Sequence, residues 1–364
     1  MSSRKCLTLL LAAAASSVAL GADPVSYTDP VGFVKIAADA AVDSSTPTYS
    51  FVSHSLAEQR VANAVVDTGG TESLTVTGTP WSGGQFAGAN GPHYVIVGTG
   101  AVEGDILDIV SNTSNTLTLA SGSGDLSGLA GETITIYKHN TLASIFGADP
   151  TANGMVGALD ANTADQVLLF EEGSGFVTYF YKNVNIPDFL DPNDITGWVT
   201  SADNTNDASN TPLPPNRGFI ILRRATSDFE VTAFGEVMDG SINVPIAEGY
   251  NLICVPYPIP DEVTLLSSGL YDAADPGFLT SLQPGLDTND SELVVLWNGT
   301  GYTQYFYKNV NIPDFLDPND ITGWVSSADN TTDAGTTPLN GSFFILRKSP
   351  NPPIDLIFPS VLDQ

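Results

Sequence analysis

Basic residues are scarce in this chain. Twelve Lys and Arg stand against 41 Asp and Glu, a formal net charge of −29. Such a balance repels phosphate backbones and anionic lipid surfaces, which argues against nucleic acid as a partner. Cysteine is almost missing: Cys6 and Cys254 are the two in the chain. Once a leader carrying Cys6 is removed, Cys254 has nothing to pair with, so the fold must rest on its core without a disulfide. Cys254 lies in the apolar run NLICVPY and reads as a small buried hydrophobe. The three histidines, His54, His93 and His139, are isolated, with no HExxH, HxH or CxxC spacing, so the usual zinc patterns do not occur. No GxSxG pentapeptide is present. The segment GTGAVEG (98–104) has the wrong spacing for a dinucleotide loop and leads into another strand, not a helix. Beyond the first residues no apolar run reaches the roughly 20 residues of a membrane span, so no membrane insertion is expected after leader removal.

What is there begins with an export signal. MSSRK precedes CLTLLLAAAASSVAL and the small-residue stretch ALGADP, the pattern of a secretory signal peptide over 1–22. The remainder is long enough for two or three domains. Thirty-four Gly and 24 Pro interrupt short β-branched and aromatic segments such as VLLF, FVTYFYK, GFIILRR, LVVLW, YTQYFYK and FFILRK, so the chain is expected to be all-β. Short helices are expected near 55–65, 141–147 and 263–270.

The sequence also repeats itself. YFYKNVNIPDFLDPNDITGWV stands at 179–199 and again, unchanged, at 305–325. From 179–213 to 305–339 the four differing positions are 200, 206, 209 and 210 of the first copy. Weaker likeness continues on both sides, as in ADQVLLF against SELVVLW, NRGFIILRR against NGSFFILRK, and YSFVSHSL against YNLICVPY. Two homologous β-sandwich-like modules are expected, one over 23–67 plus 141–235 and one over 236–364. The block 68–140, which has no counterpart in the second module, carries short alternating strands between Gly, Asn and Ser turns. It is expected to form an inserted small β-barrel of five or so strands.

The twin stretch suggests two kinds of site. Asp188, Asp191, Asn193 and Asp194, with Asp314, Asp317, Asn319 and Asp320 in the second copy, offer hard oxygens to calcium within a few residues of each other. Asp203 and Asp207, and Asp329 and Asp333, follow closely. Neither copy fits the DxDxDG loop, because Ile195 and Ile321 fall where a ligand belongs. The competing reading is that these Asp and Asn side chains build turns and caps. The aromatics form the second set: Tyr181 and Trp198, with Tyr307 and Trp324, would stack on a sugar from the outward strand face, or else pack the core. With 41 acids a glycosidase pair of carboxylates is available in principle, but no pair stands out in the sequence.

Several strings together, YTDPVGFVKI, GDILDIVSNTSNTLTL, GETITIYKHNTLASIFG and LPPNRGFIILRR, resemble a family of secreted, signal-peptide-bearing proteins of Verrucomicrobia and related environmental bacteria. The resemblance implies export and a β-rich fold, and supplies no activity or catalytic residues. The loop NVNIPDFLDPNDITG is an elaboration on that family's pattern, and its PGxGF turn is here PPNRGF and NGSFF. The reading from sequence is therefore an exported, non-enzymatic cell-surface or extracellular structural or binding protein, with a glycan or an envelope protein as partner. The alternative is a carbohydrate-binding or glycan-degrading secreted protein.

Overall fold

A computed structural model describes residues 31–358, apart from 44, 172, 185–193, 239, 257–262, 276 and 310–320. The alternating segments form strands that make up 45% of the chain, and Leu142–Phe146 is the one α-helix among the described residues. That helix falls where 141–147 was expected to be helical. Thr141 caps it: its hydroxyl accepts from Ser144 N at 3.2 Å while the Ser144 hydroxyl accepts from Thr141 N at 2.7 Å.

Two antiparallel five-stranded sheets carry the repeated sequence. In sheet I the order is Gly197–Thr200, Gly175–Lys182, Gln166–Glu171, Phe219–Arg223, Thr48–Val52. Sheet II runs Gly323–Ser326, Tyr302–Lys308, Leu293–Trp297, Ser342–Arg347, Gly249–Cys254. The order is the same, and so is the register: Tyr181 faces Trp198 and Lys182 faces Gly197, as Tyr307 faces Trp324 and Lys308 faces Gly323.

Because side chains alternate along a strand, each sheet buries two faces. Phe51, Leu168, Phe170 and Ile220 of sheet I pack with Leu252, Val295, Phe306 and Phe344 of sheet II, so the two sheets lie on each other. The opposite face of sheet I, with Val167, Phe219 and Ile221, packs against Ile36, Phe229 and Val231 and the helix residue Phe146. The first three come from a small sheet of Val31–Ala38, Phe229–Val237 and Leu56–Ala57. The far face of sheet II, with Val294, Phe343 and Ile345, packs against the paired strands Ile242–Ile246 and Ile354–Phe358. Where the two large sheets touch there is no room for side chains: a Cβ on Gly218 would lie 1.9 Å from Ser342 Cβ, and one on Gly341 would lie 2.3 Å from Phe51 O. The PPNRGF and NGSFF turns meet at this contact.

The barrel is closed and has six strands, ordered Arg60–Gly70, Ser73–Val76, Thr116–Leu119, Ile106–Asn112, His93–Val97, Thr133–Lys138, with the last pairing back to the first. Its interior is filled by Leu74, Val95, Val97, Leu117, Ile134 and Ile136 among others. The first barrel strand starts at Arg60, ahead of the expected boundary at 68, and occupies residues that were expected to be helical. Residues 263–270 also differ from expectation. They form turns tied to the segment before sheet II's Ser342 strand, with Leu265 N donating to Thr337 O at 3.0 Å and Thr264 bridging Pro338. The chain enters and leaves the barrel side by side, since Arg60 and Tyr137 are cross-strand partners. The barrel is clamped to the rest through Asn243, which donates to Asp105 Oδ1 at 2.8 Å and to Gly104 O at 2.9 Å.

Candidate functional site

Of the calcium candidates, Asp188, Asp191, Asn193, Asp314, Asp317, Asn319 and Asp320 lie outside the described residues. Asp194 is described, and its carboxylate is buried against the Lys182 ammonium. Among the described residues no group of three or more His, Cys, Asp or Glu is arranged to hold a metal ion. The acids that follow make local turns. Asp203 accepts from Thr205 N at 2.9 Å and from its hydroxyl at 2.7 Å, and Asp329 accepts from Thr331 in the same way. These bonds hold the Asp329 carboxyl down to about 2.

Trp198 and Trp324 are interior, 0% and 2% exposed. Trp198 Nε1 donates to Gly147 O at 2.9 Å, and its ring lies 5.8 Å from Phe146. Tyr181 and Tyr307 meet these indoles edge-on at 6.1 and 5.7 Å, and Tyr307 also stacks on Tyr271. Trp198 and Trp324 are thus enclosed in the core faces of the sheets, while Tyr181 and Tyr307 are half-buried against them.

The aromatic surface lies elsewhere, along the seam between the sheets. The tight hairpin of sheet II pairs Trp297 with Tyr302 across its strands, ring centroids 5.0 Å apart. The equivalent hairpin of sheet I pairs Phe170 with Phe176 at 5.2 Å. Each hairpin tip reaches across the seam to aromatic residues of the other sheet: that of sheet II to the edge strand carrying Tyr49 and Phe51, and that of sheet I to Phe344, on the strand beside the edge strand carrying Tyr250. Trp297 lies against Phe51 at 5.7 Å, nearly parallel at 26°, and against Tyr49 at 6.4 Å. On the other side Phe344, with Tyr250 at 5.8 Å, takes Phe170 and Phe176 at 5.6 and 6.2 Å.

Two cavities open there. One, of about 560 Å³, is lined by Tyr49, Phe51, Trp297 and Tyr305 together with Asp39, Ser50, Asn298, Thr303 and Asn340. The other, of about 300 Å³, is lined by Phe170, Phe176, Tyr250, Tyr302, Gln304 and Phe344. Tyr49, Tyr302, Tyr250 and Phe176 remain 40–53% exposed. Burial and the neighbouring Tyr49 push the Tyr302 phenol up, so it stays a neutral donor and acceptor at physiological pH. Aromatic planes ringed by amides, hydroxyls and one carboxylate form a surface for a ligand with apolar faces and polar edges. The sequence named the strands but not this seam, because Trp297 and Tyr49 are brought together only by sheet-on-sheet packing. The available signal was the aligned pair of hairpins, FEEGSGF and WNGTGY.

A third cavity, of about 600 Å³, sits where the barrel meets sheet I and is lined by Asp108, Glu171, Tyr179, Arg217, Leu213 and Pro214 among others. Asp108 Oδ1 lies 2.8 Å from His139 Nε2, and the His139 ring lies 4.5 Å from Tyr94. The three histidines, far apart in sequence, are all buried near this junction. Burial drives His54 down to about 4 and lowers His93, so both are neutral when the protein is folded at physiological pH. Cys254 is fully buried, its thiol directed at Pro215 O and pushed up to about 12 by burial. It behaves as a small core residue, without nucleophilic character.

Sequence reasoning missed the buried cations. Arg223 and Asp165 form one enclosed pair, Arg347 and Glu292 another at 2.8 Å, and Lys182 and Asp194 a third. Lys308 is likewise 0% exposed. A lysine closing a FYK strand carries no mark in the sequence that distinguishes it from a surface lysine. Comparison of the chain with protein-family models, with curated proteins and with solved structures finds no match.

Proposed function

We propose that the protein is an exported binding protein built from a duplicated β unit, and that it grips a carbohydrate chain along the aromatic seam. The observation that carries this reading is the arrangement of Trp297, Tyr49 and Tyr305 around a cavity edged by Asn298, Thr303, Asn340 and Asp39, with Tyr302 packed on Trp297 and lining the second cavity beside it. Pyranose rings have apolar C–H faces that lie on aromatic planes, and equatorial hydroxyls that pair with amides and carboxylates. The second, more apolar cavity repeats the plan, combining a tyrosine from one sheet with the hairpin of the other. Two such cavities on one seam suit an extended chain better than a single monosaccharide. The common strand order of sheets I and II and the near-identity of 179–213 and 305–339 support descent from one duplicated unit. The leader-like N-terminus and the resemblance to a secreted β-rich family support export.

Titration calorimetry with neutral oligosaccharides tests the reading. Binding should be lost in Trp297→Ala while the melting temperature is kept. Binding that survives both Trp297→Ala and Tyr302→Ala would sink the site. Reducing-sugar release that vanishes in Glu171→Gln would replace the reading with a hydrolase working at the barrel junction, where Asp108 and Glu171 line one cavity.

A further inference from the structure

We infer that Lys182 and Asp194 are joined by an intramolecular amide bond, formed by the folded protein between the lysine Nζ and the aspartate Cγ. Lys182 ends a sheet I strand with its side chain 0% exposed, and the Asp194 side chain is 1% exposed. By strand alternation Lys182 shares a face with Phe180; its backbone bridges Ala158, and Asp194 is followed by Ile195. Phe180, Ala158 and Ile195 belong to one small apolar cluster with Val199 and Ala164. Water is therefore excluded from the meeting point of the two groups.

The donors of the Lys182 ammonium separate it from the other enclosed cations. Arg223 spends its donors on Asp165, Gly154 O, Ser227 O and the Ser227 hydroxyl, while Asp165 also accepts from Val156 N and Arg224 N. Arg347 Nη1 donates to both carboxylate oxygens of Glu292 and its Nε to Pro352 O, while Glu292 accepts further from Gln283 N and Asn351. These are finished ion pairs. An ammonium has three N–H donors. Among the described residues, Lys182 Nζ meets Asp194 and donates no hydrogen bond to any other acceptor. Leaving a buried ammonium so poorly supported is costly, and a secondary amide, with one N–H and one C=O, removes the charge and two of its three donors.

The chemistry balances without any co-reactant. The free-base Nζ attacks Asp194 Cγ, a C–N bond forms and one Cγ–O bond breaks. The departing oxygen leaves as water, carrying the carboxylic proton and one amine proton. Holding amine and acid together in a dry site supplies the proximity that drives such a condensation. The second copy has the same ingredients in sequence: Lys308 is 0% exposed, and Asp320 follows it at the spacing that separates Asp194 from Lys182. Both partners lie inside the unchanged 21-residue stretch, so this bond would give a chemical reason for its identity in the two modules.

Mass spectrometry of the full chain, unfolded and digested with trypsin, tests the bond. Trypsin should fail to cut after Lys182 and leave one peptide, His139–Arg217, lighter than its sequence by one water. In Asp194→Ala cleavage after Lys182 should return, with both peptides at full mass. Asp194→Asn should give the same linked peptide, since ammonia would leave instead of water. Wild-type protein that yields His139–Lys182 and Asn183–Arg217 at full mass overturns the proposal, whatever the variants do. Loss of water with normal cleavage after Lys182 overturns it as well, because that is a dehydrated aspartate and not a cross-link.

Discussion

Replacing Glu292 by glutamine preserves its shape and removes its charge, leaving the Arg347 guanidinium enclosed at 2% exposure without a counter-ion. Glu292 is 1% exposed and accepts from Arg347 at 2.8 and 2.9 Å, from Gln283 N at 2.9 Å and from Asn351 at 3.0 Å. Breaking an enclosed pair on one side costs about 3–5 kcal/mol, most of it the stranded charge. At about 2–4 °C per kcal/mol, the melting temperature should fall by on the order of 10 °C. Removing both charges together, as Glu292→Gln with Arg347→Met, strands nothing, so the double variant should cost well under the sum of the single ones. The exposed pair Lys35–Glu230, at 2.9 Å with side chains 60% and 51% exposed, is the control, and Lys35→Met should cost no more than about 1 kcal/mol. Urea unfolding followed by near-UV circular dichroism, run as a double-mutant cycle, measures all of these. A Glu292→Gln loss no larger than that of Lys35→Met, or a double variant equal to the sum, would refute the claim that this pair is electrostatically closed off from water.

Trp297→Ala and Trp198→Ala should separate binding from stability. The first should abolish oligosaccharide binding with little change in melting. The second empties a core site and should cost about 3–5 kcal/mol, seen as a lower urea midpoint. His54 sets an acid limit: burial brings it down to about 4 when folded, against 6.5 for the free side chain, and outweighs the hydrogen bond to Leu213 O at 2.6 Å, which by itself favours the charged form. Between those values the unfolded chain takes up the proton and the folded chain does not. Its contribution is therefore complete above pH 6.5 and is lost toward pH 4, by up to about 3 kcal/mol. Denaturation midpoints measured across that window in wild type and His54→Gln should diverge, the variant showing the flatter slope. Gly218→Ala places a methyl where Ser342 Cβ already sits and should cost about 1–3 kcal/mol; an unchanged midpoint would mean that the two sheets approach less closely.

Local pattern was legible and long-range assembly was not. The alternation in FIILR and SFFIL announced strands with two apolar faces, and Ile220 and Ile221 do pack into different cores. A short helix was expected near 141–147, and Leu142–Phe146 is helical. The run AEQRVANAV has a helix-like composition, but Arg60–Gly70 is a barrel strand because its partners at Thr133–Lys138 and Ser73–Val76 take its backbone. That pairing depends on residues far along the chain, and it also moved the barrel boundary. The same reason hid the seam. Tyr49 and Trp297 are separated by most of the protein, and no pattern near either residue points to the other. Trp198 and Trp324 were read as stacking or core residues with both readings open. Sequence could not decide, since an alternating strand shows two faces without saying which one a second layer will cover.

The ladder that sets Arg60 opposite Tyr137 has a practical meaning for protein engineering. Both ends of the barrel are sewn to the host at a single seam point. A short artificial turn could join them with little loop-closure penalty, making the barrel a removable cassette. Its excision would uncover the apolar faces that Met238 and Ile242 now share with Tyr94 and Ile96, and these would need polar replacements. With that repair, the same corner becomes a docking port in the chain where a reporter domain could be grafted without disturbing either aromatic cavity.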